Sequence, residues 1–181
     1  MWSSKDVSLI IIFASLGLAF QATIKELPQL MTGIPGIGYI LSIGNVIIIN
    51  TAFLMFEGKR WRFAFFGALY TLLISVVFAL VGSNVVLRSL PMVIGIVIQD
   101  IIYNSFYNHF AEQNRLKWLS IIIGVQGLFT DVLLRIIVFT PFFSSSIVAA
   151  FINTTLVMSP ILLFNSVVGG YLAYFIYKRT R

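Results

Sequence analysis

The chain has 181 residues, 59% of them hydrophobic and only 10% charged, and its mean hydropathy of +1.00 excludes a water-soluble globular fold. Lys and Arg number 12 against 6 Asp and Glu, a net charge of +6 that in a lipid-soluble chain reports orientation in a membrane and not nucleic-acid binding. The Cys count of 0 excludes disulfides, thiolate metal sites and cysteine nucleophiles, and at this length a single domain, 1–181, is expected, with any energy source supplied from elsewhere.

A hydrocarbon core about 30 Å thick takes about 20 apolar helical residues at about 1.5 Å each. Cutting the sequence at its polar and Gly/Pro punctuation predicts an all-α bundle of six transmembrane helices over 7–24, 37–56, 61–82, 90–108, 117–140 and 147–177. In the first span Ala14, Ser15, Gly17 and Ala19 cluster in the inner half, with Ser15 and Ala19 in small-xxx-small spacing. Small residues let helix backbones approach closely, so this face is a candidate for docking another membrane helix or for an internal contact. The same span also has the outline of a signal peptide, with Lys5 as its charged region and a cleavage site near Ala22; cleavage would leave five spans.

The stretch Gly33-Ile34-Pro35-Gly36-Ile37-Gly38 follows no strand and is therefore neither a dinucleotide fingerprint nor a phosphate loop. It reads as a flexible outer connection or a mobile gate. The fourth span carries Gln99, Asp100 and Asn104, and His109 is expected to snorkel at its inner end. In the fifth, Gln126 precedes Asp131 and Arg135, which at i, i+4 share one helix face. The sixth holds Asn153, Thr154 and Thr155, and its Pro160 implies a kink or a late start near Phe151.

An uncompensated charge at membrane depth costs roughly 2.5–3.5 kcal/mol even on lenient insertion scales, so Asp100, Asp131 and Arg135 should face the bundle interior. Counted along the helices, Asp100 and Asp131 each fall roughly 13–15 Å below the outer surface, and Asn45 and Asn153 reach a similar depth. Alone, Asp131 and Arg135 read equally well as a neutralised structural pair. The surrounding amides and hydroxyls exceed what one ion pair can satisfy, and a polar cavity opening outward accounts for them. Tyr39, Phe139, Phe142 and Phe143 near its expected mouth are placed to stack on a flat ligand or to form an interfacial belt.

Lys5, Lys59, Arg60, Arg62, Arg115, Lys117, Lys178, Arg179 and Arg181 fall in one set of loops and ends, against Lys25 and Arg88 in the other. The positive-inside rule then makes both termini cytoplasmic and 25–36, 83–89 and 141–146 the outer surface of a multi-pass cell-membrane protein. The single His and the scattered acidic residues provide no nucleophile with its base and no metal set, so neither an enzyme nor a bound metal or cofactor is expected.

The order of these features resembles that of a substrate-binding S-component of the energy-coupling factor (ECF) vitamin transporters over nearly the whole chain. The resemblance rests on the six spans, the small face at Ser15 and Ala19, the outer loop Ile34-Pro35-Gly36-Ile37-Gly38-Tyr39 leading into Leu41-Ser42-Ile43-Gly44-Asn45, Gly58 at an inner turn, Gly67-Ala68, and the ending Asn165 through Gly169-Gly170-Tyr171-Leu172-Ala173-Tyr174. Ser15 stands where the family typically has the first of two alanines, Asn45 where an acidic residue is frequent, and Lys59 and Arg62 where Pro and Gly are common. The resemblance implies a high-affinity receptor that binds a vitamin or related micronutrient on the outer side and associates with a transmembrane coupling protein and two cytoplasmic ATPases.

The residues themselves then suggest Asp131, Arg135, Asn153, Gln99, Asp100, Asn45 and Tyr39 for ligand binding and Ala14, Ser15 and Ala19 for partner docking. If Arg135 is free to meet the ligand, a carboxylate is favoured; if Asp131 neutralises it, that preference disappears. Two rival readings are a proton-coupled secondary transporter using Asp100 and Asp131, and a noncatalytic membrane scaffold of the MreD type.

Overall fold

In the computed structural model, which describes residues 2–27, 31, 40–80 and 85–181, every described regular element is helical. Helix α1 (Ser4–Phe20) starts on a capping box: the Ser3 hydroxyl accepts from the Asp6 amide at 3.1 Å and the Asp6 carboxylate accepts from the Ser3 amide at 3.0 Å. A π-helical segment (Gln21–Glu26) continues it. There follow α2 (Ile43–Met55), α3 (Arg62–Leu80), α4 (Val85–Glu112), α5 (Leu116–Phe139) and α6 (Ser145–Thr180).

Among the described residues five helices are long and apolar enough to cross a membrane. The predicted second span, 37–56, is represented by the 13 residues of α2, about 20 Å at 1.5 Å per residue; residues 37–39 lie outside those described. The fourth begins at Val85 and not near residue 90, and the last begins at Ser145, so no late start near Phe151 occurs. Pro91 and Pro160 each remove one backbone donor within α4 and α6 without ending the helix.

The helices close a ring in the order α1, α3, α4, α5, α6, α2 and back to α1. Their outer faces are apolar: Leu72, Ile137 and Val157 are 68%, 65% and 73% exposed, while Asn50, Gln99, Asn165 and Ser166 are buried. This inversion of the soluble pattern suits helices surrounded by hydrocarbon.

Small residues set the closest approaches. A Cβ on Gly124 would stand 2.8 Å from the Ser166 carbonyl oxygen, and one on Gly170 would stand 2.8 Å from the Ile121 Cα. The Ser120 hydroxyl donates to the Gly170 carbonyl at 2.8 Å and the Asn50 amide donates to the Ser120 carbonyl at 2.9 Å, so α2, α5 and α6 are locked by backbone contacts.

Both chain ends meet at one end of the ring. Asp6 pairs with Lys59 at 3.2 Å and Arg62 at 3.4 Å, and Arg181 reaches Glu57 at 3.6 Å. The turn between α2 and α3 that receives them takes positive φ at Glu57, Gly58 and Trp61. At Gly58 there is no room for a side chain either, because a Cβ would lie 2.9 Å from the Tyr107 Cβ. Phe53, Phe56, Phe63 and Phe66 fill this end, with the Phe53 and Phe63 rings 5.2 Å apart and Phe63 and Phe66 5.6 Å apart. The core is solid here; the opposite end is hollow.

Candidate functional site

The hollow is a cavity of about 540 Å³ to which the π-helical segment and helices α2 to α6 contribute. Such a volume is within the range of small-molecule sites. Much of its wall is apolar, including Phe78, Met92, Ile96 and Leu162, and its polar groups fall into three clusters.

The first cluster is built by the π-helical segment. At about 100° per α-helical residue, positions five apart diverge by about 140°, whereas the wider π turn brings them back into line. Gln21 and Glu26 are five apart, and the Gln21 amide donates to the Glu26 carboxylate at 2.6 Å. The Gln21 carbonyl oxygen in turn accepts from the Asn45 amide of α2 at 2.6 Å. Tyr70 of α3 completes the group: its ring lies where a Cβ of Gly17 would be, 2.8 Å from the Tyr70 Cε2. Gly17 is one helical turn before Gln21 and on the same face. Tyr70 is 1% exposed, and among the described residues neither its hydroxyl nor the Asn45 Oδ1 has a hydrogen-bond partner.

The second cluster is the ion pair on α5. The Arg135 Nε donates to Asp131 Oδ2 at 2.8 Å, and both residues line the cavity while remaining partly accessible. The third lies between α4 and α5, where the Gln99 amide donates to the Ile123 carbonyl at 3.2 Å and the Gln126 side-chain oxygen at 3.3 Å. It fits because Gly127 faces it with no side chain. On α6, Thr154 and Thr155 also border the cavity, although their hydroxyls donate to the carbonyls of Ala150 and Phe151.

Of the residues singled out in the sequence, Asp131, Arg135, Gln99 and Asn45 therefore converge on one cavity. Asp100 and Asn153 do not line it. Asn153 is exposed on the outer face of α6. The Asp100 carboxylate sits at the start of α3, accepting from the Trp61 amide at 2.8 Å and from the Asn104 side chain, so it shares no layer with Asp131. A helix begins with unpaired amides and a partial positive charge, and a carboxylate from a neighbouring helix satisfies both. Tyr39 lies outside the described residues, as does the side chain of Phe139; Phe142 is exposed, and neither it nor Phe143 borders the cavity.

The small residues of α1 divide between two faces. Ala14 and Gly17 are buried inside the bundle, whereas Ser15 and Ala19 point outward beside the exposed Ile11, Ile12 and Leu16. His109 accepts or donates only locally, 2.9 Å from Gln113 on the exposed end of α4.

Gln21, Glu26, Asn50 and Tyr70 are cavity residues that sequence reasoning passed over. Glu26 follows Lys25 and was assigned with it to the outer loop; in the structure helical backbone continues through it and its side chain is buried. The available signal was two hydrogen-bonding residues five apart at the end of an apolar span, a spacing that an α-helical count places on different faces.

No family model matches the chain, no curated protein is significantly similar to it, and no solved structure matches its fold.

Proposed function

We propose that this chain is a membrane receptor that captures a small micronutrient, of vitamin size, in the cavity from the outer side of the cell membrane, and that it acts as the substrate-binding component of an ECF-type importer. The observation that carries the reading is the cavity itself: about 540 Å³ with amides, a phenol and carboxylates inside an otherwise apolar bundle. A scaffold that only binds partners has no use for such a hollow. The basic residues gather at the opposite end with both termini, and if that end is cytoplasmic the cavity belongs to the outer half.

On this reading α2 counts as the sixth crossing, because a chain that starts and ends on one side must cross an even number of times. Transport then requires a transmembrane coupling protein and two ATPases, for which the outward-facing Ser15 and Ala19 on α1 offer a close-approach surface. The buried acid Glu26 within the cavity favours one second reading, a proton-coupled transporter that works without partners.

Native mass spectrometry of the protein gently extracted from its own membranes separates these. Retention of a vitamin-sized molecule together with ATPase subunits is the expected result. Absence of both sinks the receptor proposal, and uptake into liposomes driven by a pH gradient with this chain alone replaces it with the second reading.

A further inference from the structure

Three side-chain amides that line the cavity share one orientation, and in each case an acceptor fixes it. Asn50 gives its N–H to the Ser120 carbonyl at 2.9 Å, and Gln99 gives its own to the Ile123 carbonyl at 3.2 Å and the Gln126 side-chain oxygen at 3.3 Å. A backbone carbonyl only accepts, so neither amide can be turned over without setting oxygen against oxygen. Asn45 follows the same rule at one remove, since Gln21 spends its N–H on Glu26 and offers Asn45 its oxygen.

What these amides leave to the cavity is acceptor capacity. The side-chain oxygens of Asn45, Asn50 and Gln99 accept from none of the described residues, and Asn50 and Gln99 are only 2% and 5% exposed. The Thr154 and Thr155 hydroxyls likewise give their hydrogen to backbone carbonyls and border the cavity as oxygen. The Tyr70 hydroxyl, without a partner among the described residues, can turn either way. Buried acceptors left unfilled cost free energy, which a ligand with matching donors recovers. Asn50 on α2 and Gln99 on α4 stand on opposite sides of the helix ring, so donors are needed on two edges of the ligand and not on one.

We propose that the cavity selects a ligand that presents N–H donors on opposite edges, of the cyclic urea class, and discriminates against isosteres with C–H in their place. The inference rests on the receptor reading and names the chemistry of the molecule captured. A urea N–H donates without bringing a lone pair, whereas a hydroxyl would bring oxygen lone pairs to a wall of oxygens.

Benzimidazolinone, oxindole and 2-indanone are uncharged and nearly isosteric, and their carbonyl is flanked by two, one and no N–H groups. Binding of each to the purified full-length chain in nanodiscs is measured by saturation-transfer NMR at millimolar concentration, with empty nanodiscs as the blank. Affinity is expected to rise about fivefold with each N–H, in the order 2-indanone, oxindole, benzimidazolinone. Asn50→Leu and Gln99→Met keep the bulk of the side chain and remove the oxygen from one wall each, so either variant should bring benzimidazolinone level with oxindole. The wild-type series needs no substitution and decides the matter even where a variant does not fold.

Equal or tighter binding of 2-indanone to the wild type overturns the proposal, as does an N–H preference unchanged in either folded variant or a failure of all three probes to bind. The receptor reading falls on a different result, an empty cavity without co-purifying ATPases in the native mass spectrum.

Discussion

Asp100 and Asp131 are both carboxylates within apolar helices, yet their surroundings give them different work. Asp100 is buried and holds the Trp61 amide at the start of α3, whereas Asp131 is half-exposed to the cavity and holds Arg135. Removing a side-chain acceptor from a helix start costs about 1–2 kcal/mol, and Asp100→Ala also strands the Asn104 amide that now donates to it. The variant should therefore unfold at lower denaturant in SDS titration, with the same affinity as the wild type for any small molecule that the receptor proposal predicts to be retained. Arg135→Ala is expected to behave the other way: near-wild-type unfolding, because the pair is partly solvated, and a loss of affinity for the retained molecule of about tenfold, equivalent to about 1.4 kcal/mol. Unchanged affinity in Arg135→Ala, or loss of ligand in Asp100→Ala, would assign the roles differently.

At the scale of whole elements, the glycines of α5 and α6 make the packing testable. Gly124 and Gly170 face backbone atoms at 2.8 Å, which cannot move without separating the helices, whereas a Cβ on Gly95 would make ordinary contacts with the Thr130 Cγ2 at 3.8 Å and the Leu134 Cδ1 at 4.0 Å. Gly124→Ala and Gly170→Ala should each destabilise the bundle by about 1–3 kcal/mol, and Gly95→Ala should leave it within about 1 kcal/mol of the wild type. Thermal unfolding followed by circular dichroism reads the difference; equal midpoints for all three would mean that these glycines do not set the helix spacing. Five of the helices were legible in the sequence because a long lipid-facing span advertises its length in apolar residues, whereas α2 has 13 residues where a full span was expected. The pairing of Asp131 with Arg135 was legible too, being a local i, i+4 relation on one helix. What the residues did not disclose were relations between helices and departures from the α-helical turn. Asp100 meets a residue 39 positions away, and Glu26 reaches the cavity because the backbone widens its turn between Gln21 and Glu26. Neither event changes composition or hydropathy, which is why Asp100 was counted with the cavity and Glu26 with a loop.

For the molecule as a whole, orientation decides whether the cavity can collect anything from outside. A solid aromatic end carries both termini and most of the basic residues, and the hollow end carries the turn between α5 and α6. The absence of Cys makes single-cysteine reporters clean. Ser144→Cys lies at the exposed hollow end, Gln113→Cys at the exposed turn after α4, and Ser4→Cys and Arg181→Cys mark the two ends of the chain. In intact spheroplasts a membrane-impermeant maleimide should label Ser144→Cys, while the other three react only after permeabilisation. That pattern requires an even number of crossings and makes the 13-residue α2 one of them, with local thinning of the bilayer or its flanking residues covering the shortfall from about 30 Å. Ser4→Cys and Arg181→Cys labelling from opposite sides would instead leave five crossings. The reverse pattern, with Ser144→Cys protected and Gln113→Cys labelled, would turn the cavity toward the cytoplasm. Capture from outside would then be impossible in the resting state, and the proton-coupled reading, in which Glu26 faces each side in turn, would become the better account of the same buried acid.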